Sequence, residues 1–339
     1  MSAMSDSGKK RGFVTAVLIM LLIGALSVGG FGIYAYHFAS TVDAAMPYDS
    51  RSMTYHTADT TSLVTADAFA SGLCVGDNDL ALNDLNLSGN ENGALFDISN
   101  RRLLYAKGMH ERIYPASITK LMTALLAYEN GNMDDMITIN WEDLELESGS
   151  QVVGLKIGDQ VRLGDLITAM LVHSGNDAAQ AIARHIGGTQ PAFVVMMNKR
   201  ARELGATNTH FVNPSGLHDP DHYTTVYDIY LILNEISHFE DFINTTQIRV
   251  YELTYTDAAG SPMSVTLDST DRYITGEVQP PRNVTILGGK TGTTKAAGSC
   301  LALLTQNAYG ELFISIIVRA ADKTALYTDM NAFLEQIHS

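Results

Sequence analysis

Cysteine is scarce in this chain. Only Cys74 and Cys300 occur among its 339 residues. So few exclude a disulfide-dense scaffold, and no Cys-x-x-Cys pair or Cys/His cluster has the spacing of a zinc site. There are ten histidines, none of them in a His-Glu-x-x-His pattern, so no metal is expected. The two cysteines are compatible with one long-range bridge or with two buried free thiols. Positive charge is also short: 22 Lys and Arg stand against 37 Asp and Glu, a formal net charge of −15. Such a chain repels phosphate backbones, which excludes nucleic acid as a partner. With 46% hydrophobic and 17% charged residues, it is globular and large enough for one large domain or two modest ones. It contains no internal repeat.

What is present begins at the N-terminus. Lys9, Lys10 and Arg11 precede an uncharged stretch that runs to residue 38 and is almost wholly apolar at 13–23. That exceeds the ~20 residues a membrane-spanning helix needs, and no small-x-small cleavage site directly follows the apolar core. The pattern predicts a cytoplasmic tail at 1–12 and a signal anchor at 13–38. A polar linker at 39–62 and an extracytoplasmic domain at 63–339 follow. The protein is therefore expected in the cell membrane as a single-pass chain.

Within the domain, residues 94–98 and 102–105 read as a hairpin around Ser99-Asn100. Pro115 opens a helix to about residue 129, because proline suits a first helical turn. Helices follow at 163–171, 177–186 and 192–204, so the middle of the chain reads as mostly helical. Strands are predicted at 284–287, 299–306 and 312–319. A closing helix spans 322–337, with Leu326, Met330, Phe333, Leu334 and Ile337 on one apolar face. Strands at both ends with helices between predict an α/β chain of the α+β kind: an antiparallel sheet built from the two chain ends, with a helical region beside it.

Three short motifs carry chemistry. In Pro115-Ala116-Ser117-Ile118-Thr119-Lys120, Ser117 and Lys120 are three apart on a helix and share a face. A serine needs a base within reach, and a lysine kept neutral by burial or by a neighbouring cation can be that base. In Ser174-Gly175-Asn176-Asp177, a turn between helices, the hydroxyl can relay a proton and the amide can orient a peptide bond. Asp177 alone reads as an ordinary residue of a helix start. In Gly288-Gly289-Lys290-Thr291-Gly292-Thr293-Thr294, Lys290 and Thr291 can hold a carboxylate. Gly292 lets another backbone approach, as edge-on pairing with a peptide requires. A P-loop is excluded because Val284 stands where its first glycine belongs. Each motif is weak alone, but their order is that of β-lactamases and penicillin-binding proteins.

With Phe211-Val212-Asn213-Pro214-Ser215-Gly216-Leu217 added, the sequence from about residue 94 to 319 resembles the D-alanyl-D-alanine carboxypeptidases of the low-molecular-mass penicillin-binding proteins, peptidase family S11. The resemblance implies a β-lactamase/DD-peptidase-like fold with the active site between sheet and helical region. Ser117 is then the nucleophile and Lys120 its base, with Ser174 and Asn176 shuttling protons and orienting substrate. Lys290 and Thr291 bind the terminal carboxylate. Gly292 and Thr293 complete the substrate strand, and the N–H groups of Ser117 and Thr293 form the oxyanion hole. The implied partners are a peptidoglycan stem peptide ending in D-Ala-D-Ala and covalent β-lactams, with no cofactor. Many relatives carry a β-rich domain and an amphipathic anchor after the peptidase domain. None is expected here, since the chain after Gly292 suffices only to finish the sheet and the closing helix.

Two rivals share these motifs. A β-lactamase needs a deacylating Glu-x-x-Leu-Asn arrangement after the second motif, and Glu203, followed by Leu204-Gly205, does not supply it. A non-catalytic wall-binding or β-lactam-sensing protein is disfavoured by the intact motifs and by the short segment preceding the span.

Overall fold

In a computed structural model, the described residues are 72–337 apart from 83, 84, 88 and 148. The expected span at 13–38 and the linker at 39–62 lie outside them. Among the described residues no helix is long and apolar enough to cross a membrane.

The chain opens with the hairpin β1 (Asn92–Asp97) and β2 (Arg102–Lys107). A 3-10 turn, Ala116–Thr119, leads into α1 (Lys120–Asn130). Then come β3 (Met136–Thr138), a 3-10 turn at Trp141–Leu144 and β4 (Gln160–Arg162). The helices α2 (Leu163–Val172), α3 (Asn176–Gly187) and α4 (Gln190–Glu203) follow. Next are α5 (Val226–Ile236) and α6 (Glu240–Thr246), then the hairpin β5 (Val250–Thr256) and β6 (Pro262–Asp268). A short α7 (Arg272–Thr275) precedes β7 (Val284–Thr294), β8 (Gly298–Asn307), β9 (Leu312–Ala320) and α8 (Lys323–Leu334).

The two ends of the domain build one antiparallel sheet in the order β2-β1-β9-β8-β7. Its central strands are apolar on both faces, so alternate residues enter two cores. Ala94 and Phe96 of β1, with Cys300, Ala302 and Leu304 of β8, face the large core shared with α1, α2, α3 and α5. Leu95, Leu301 and Leu303 face α8, where Leu326, Met330, Phe333 and Leu334 are all buried, as is Ile337 just beyond it. Phe96 stacks on Tyr230 at 4.1 Å, tying β1 to α5.

Local signals account for the helix ends. Thr189, Thr225 and Asp322 accept N–H bonds at the starts of α4, α5 and α8, relieving donors that have no partner inside a helix. Gly188 and Gly205 follow α3 and α4 at φ +74° and +83°.

Two expectations need correction. The helix predicted from Pro115 begins as a 3-10 turn, because Ala116 sits at φ +47°, which no α-helix contains. The middle of the chain is also not simply helical. It holds a second antiparallel sheet, β3-β4-β5-β6. β3 and β4 have three residues each, too few for a period-2 pattern to register. In β5 and β6 only Leu253 and Leu267 are fully buried, so the apolar signal is diluted. Of the two arrangements open to Cys74 and Cys300, the structure has the unpaired one. Both are buried free thiols, donating separately to Asp97 O at 3.4 Å and Ala297 O at 3.5 Å.

Candidate active site

Ser117 lies in the 3-10 turn and Lys120 at its end. The two residues are therefore not on one α-helix, as their spacing suggested. A 3-10 turn serves better, since it eclipses side chains at i and i+3. Ala116, immediately before the serine, holds a left-handed backbone. Such a conformation costs about 1–3 kcal/mol in a residue with a Cβ and persists only where its surroundings enforce it. The enforcement is visible at Gly216, itself at φ +85°. A Cβ there would lie 1.8 Å from Ala116 O, so the 213–217 segment is pressed onto the turn.

Lys120 is fully buried. Its Nζ lies 2.9 Å from Ser117 Oγ, 2.7 Å from Asn176 Oδ1 and 2.7 Å from Ser215 O. The last two atoms are carbonyl oxygens and only accept. A neutral amine gives its two protons to them and turns its lone pair toward the Ser117 hydroxyl. Burial, reinforced by the Lys290 ammonium, holds the Lys120 amine well below its ordinary pKa, with Asp177 opposing weakly. The arrangement favours a base rather than a cation.

The second motif enters through the turn between α2 and α3. Ser174 is buried at φ +65°, another strained backbone. Asn176 is the first residue of α3, and its N–H donates to Gln151 O at 2.8 Å. Asp177 is more than a helix-start residue. Its carboxylate accepts N–H bonds from Val153, Gly154 and Leu155 at 2.9, 2.9 and 3.3 Å, which fixes the loop beside the motif.

The third motif lies within β7 rather than after a strand. β7 is the edge of the five-stranded sheet, and an edge strand is where an extended peptide can pair; α6 covers its first half, where Gln247 donates to Leu287 O. Lys290 is buried, and its Nζ donates to Thr291 O at 3.1 Å. Burial lowers its pKa to about 7 despite the opposing Asp271 carboxylate. Of the two buried lysines, Lys290 is the one that faces Asp271, whose carboxylate favours its charged form. The Thr291 hydroxyl is 2.6 Å from that of Thr270. A Cβ on Gly292 would meet Pro115 O at 3.0 Å, Ala116 Cβ at 3.1 Å and Ser117 N at 3.1 Å. The backbone that needs this glycine is therefore the chain's own nucleophile turn.

A cleft of about 330 Å³ opens over these groups, lined by Ser117, Asn176, Thr293, Thr294, Glu147, Gly149, Ser150, Gln151, Gly216 and Leu217. Lys120 lies beneath it. Ser174, Lys290, Thr291 and Gly292 do not line it. Sequence reasoning missed Ser215, whose carbonyl holds the lysine, and Asp271, which faces Lys290. Ser215 lies in the 211–217 stretch that carried the resemblance, but a backbone carbonyl leaves no signature in its side chain. Asp271 gave no signal at all.

Comparison with known proteins gives the family and the fold. The peptidase S11 family profile, described as D-alanyl-D-alanine carboxypeptidase, matches residues 90–321. The chain is 33% identical over 159 residues to D-alanyl-D-alanine carboxypeptidase DacF of Bacillus subtilis, covering 46% of this chain and 41% of that protein. It thus spans less than half the length of that relative. The D-alanyl-D-alanine carboxypeptidase DacD structure from Francisella tularensis superposes with a TM-score of 0.65 at 26% identity, over 79% of this chain and 74% of that one. The Streptomyces K15 DD-transpeptidase shares the fold, with a TM-score of 0.66 at 23% identity over 76% of this chain and 98% of that one. The family profile spans both the sheet and the helical region whose motifs meet at Ser117, and the chain belongs to the D-alanyl-D-alanine carboxypeptidase family S11.

Proposed function

We propose that the protein is a serine D-Ala-D-Ala carboxypeptidase that trims peptidoglycan stem peptides and is acylated by β-lactams. The observation that carries this is the buried Lys120 amine, 2.9 Å from Ser117 Oγ with two carbonyl acceptors on its other side. Lys120 takes the hydroxyl proton as Ser117 Oγ bonds to the carbonyl carbon between the two D-alanines. The tetrahedral oxygen rests on the N–H groups of Ser117 and Thr293. The C–N bond then breaks, and a proton relayed through Ser174 goes to the departing D-alanine amine. Water attacks the ester by the same path in reverse, regenerating Ser117. Asn176 orients the peptide. Lys290, with Thr291, attracts the terminal carboxylate from below the cleft, where its charge acts through a dry wall. Gly292 lets β7 approach Ser117.

We also place the protein in the cell membrane, with residues 13–38 as an uncleaved anchor and the peptidase outside. The basic flank Lys9-Lys10-Arg11 and the apolar stretch after it support this. Release of the full-length protein by alkaline carbonate would overturn the anchor.

The direct test incubates the protein with a diacetyl-Lys-D-Ala-D-Ala peptide and assays D-alanine with and without benzylpenicillin. Penicillin-blocked release is expected, lost together with covalent labelling in Ser117→Ala. No release, with fast hydrolysis of the drug, would put a β-lactamase in its place. A stable adduct without release would point to a sensor.

A further inference from the structure

We propose that His222 is a positioning residue that acts through Thr119 to hold Ser117 and Lys120 in register. The inference rests on the assignment of those two residues as nucleophile and base.

His222 is 2% exposed and does not line the cleft, and both ring nitrogens are engaged. The Val212 N–H donates to Nδ1 at 3.2 Å, so Nδ1 carries no proton. In the neutral ring the proton is then on Nε2, which donates to Thr119 Oγ1 at 2.9 Å. Thr119 lies between nucleophile and base, in the turn whose backbone is strained at Ala116. The ring packs edge-on against Phe211, with centroids 5.5 Å apart, which fixes its plane. The His222 bond is one of three side-chain hydrogen bonds that join residues 214–222 to residues 119–123. Ser215 O accepts from Lys120 Nζ at 2.7 Å, and Pro214 O accepts from Thr123 Oγ1 at 2.6 Å. The His222 contact is the one made by side chains on both partners. A doubly protonated ring would set an N–H against the Val212 N–H and a cation behind Lys120, so the site accepts only the neutral ring. The titratable groups facing His222 are Asp219, His210, His218 and Lys120.

Two substitutions separate positioning from bulk stability. His222→Asn keeps an acceptor near Val212 N–H and removes the donor to Thr119. Thr119→Val removes the acceptor. With the full-length protein, each is expected to lower kcat for D-alanine release about 10–100-fold and to leave KM within about twofold. The double variant should lose no more than either single one, and Thr119→Ser should restore activity. Water admitted to the loosened turn should also move the Lys120 titration, read by NMR of labelled lysine, to higher pH by about one unit. Losses that multiply independently, or an unchanged kcat with an unchanged Lys120 titration, would overturn the proposal. If His222→Asn does not fold, the Thr119 pair decides it. If the wild type releases no D-alanine, the proposed function falls, and the Lys120 titration in Thr119→Val still decides the role of His222.

Discussion

Gly292 and Ser117, on two different elements, are in backbone contact: a single carbon added to Gly292 would lie 3.1 Å from the Ser117 nitrogen, 3.0 Å from Pro115 O and 3.1 Å from Ala116 Cβ. That contact brings the edge strand beside the nucleophile and sets the two N–H groups proposed for the oxyanion hole. Gly292→Ala crowds three atoms that cannot rotate away. The acylation rate by benzylpenicillin should fall about 10²-fold or more, with the far-ultraviolet circular dichroism unchanged. A wild-type rate would mean that the turn yields without consequence.

Lys120→Ala tests the base separately from the nucleophile. Ser117 stays in place without a proton acceptor, and acylation should slow by about 10²–10⁴-fold. Stopped-flow measurement with a chromogenic β-lactam reads this directly. A loss below tenfold would move the base role elsewhere.

The two buried lysines predict a bell-shaped pH dependence of kcat/KM. Activity needs Lys120 neutral, so it falls on the acid side as that depressed group gains a proton. It also needs Lys290 charged, so it falls on the basic side as pH rises through about 7. Lys290→Arg keeps its charge at all accessible pH and should remove the basic limb. A basic limb that persists in this variant would assign it to another group.

Asp177→Ala removes a carboxylate that accepts N–H bonds from three consecutive residues of the 153–155 loop. Leaving those donors unpaired should cost about 2–4 kcal/mol, measured by urea unfolding, with Asp177→Asn losing less. Equal stability of Asp177→Ala and wild type would show that the loop finds other partners.

Free-thiol titration should detect no reactive cysteine in the native protein and two after denaturation without reductant. Burial pushes the Cys74 thiol up to about 11 and the Cys300 thiol up to about 12, far from the thiolate form. Zero thiols after denaturation would show a bridge that the buried geometry does not.

The sequence by itself determined the strands of the five-stranded sheet, the helices α2, α3, α4 and α8, and the order of the three motifs. Each is written in a local pattern: the apolar runs in 299–306 and 312–319, the helical spacing of Leu326, Met330, Phe333 and Leu334, the glycines after α3 and α4. It also named Ser117, Lys120 and Asn176, because their side-chain chemistry is specific at short spacing. Tertiary structure decided what no local pattern encodes. The left-handed Ala116 is enforced by Gly216, a hundred positions away in the chain, and turns an expected helix start into a 3-10 turn. The neutral state of Lys120 depends on burial, on Lys290 and on the Ser215 carbonyl, all brought together by folding. The burial of Lys290 beside Asp271 is likewise a product of folding. Protonation, strain and close backbone approach are properties of neighbours in space, and one-dimensional spacing carries little record of them.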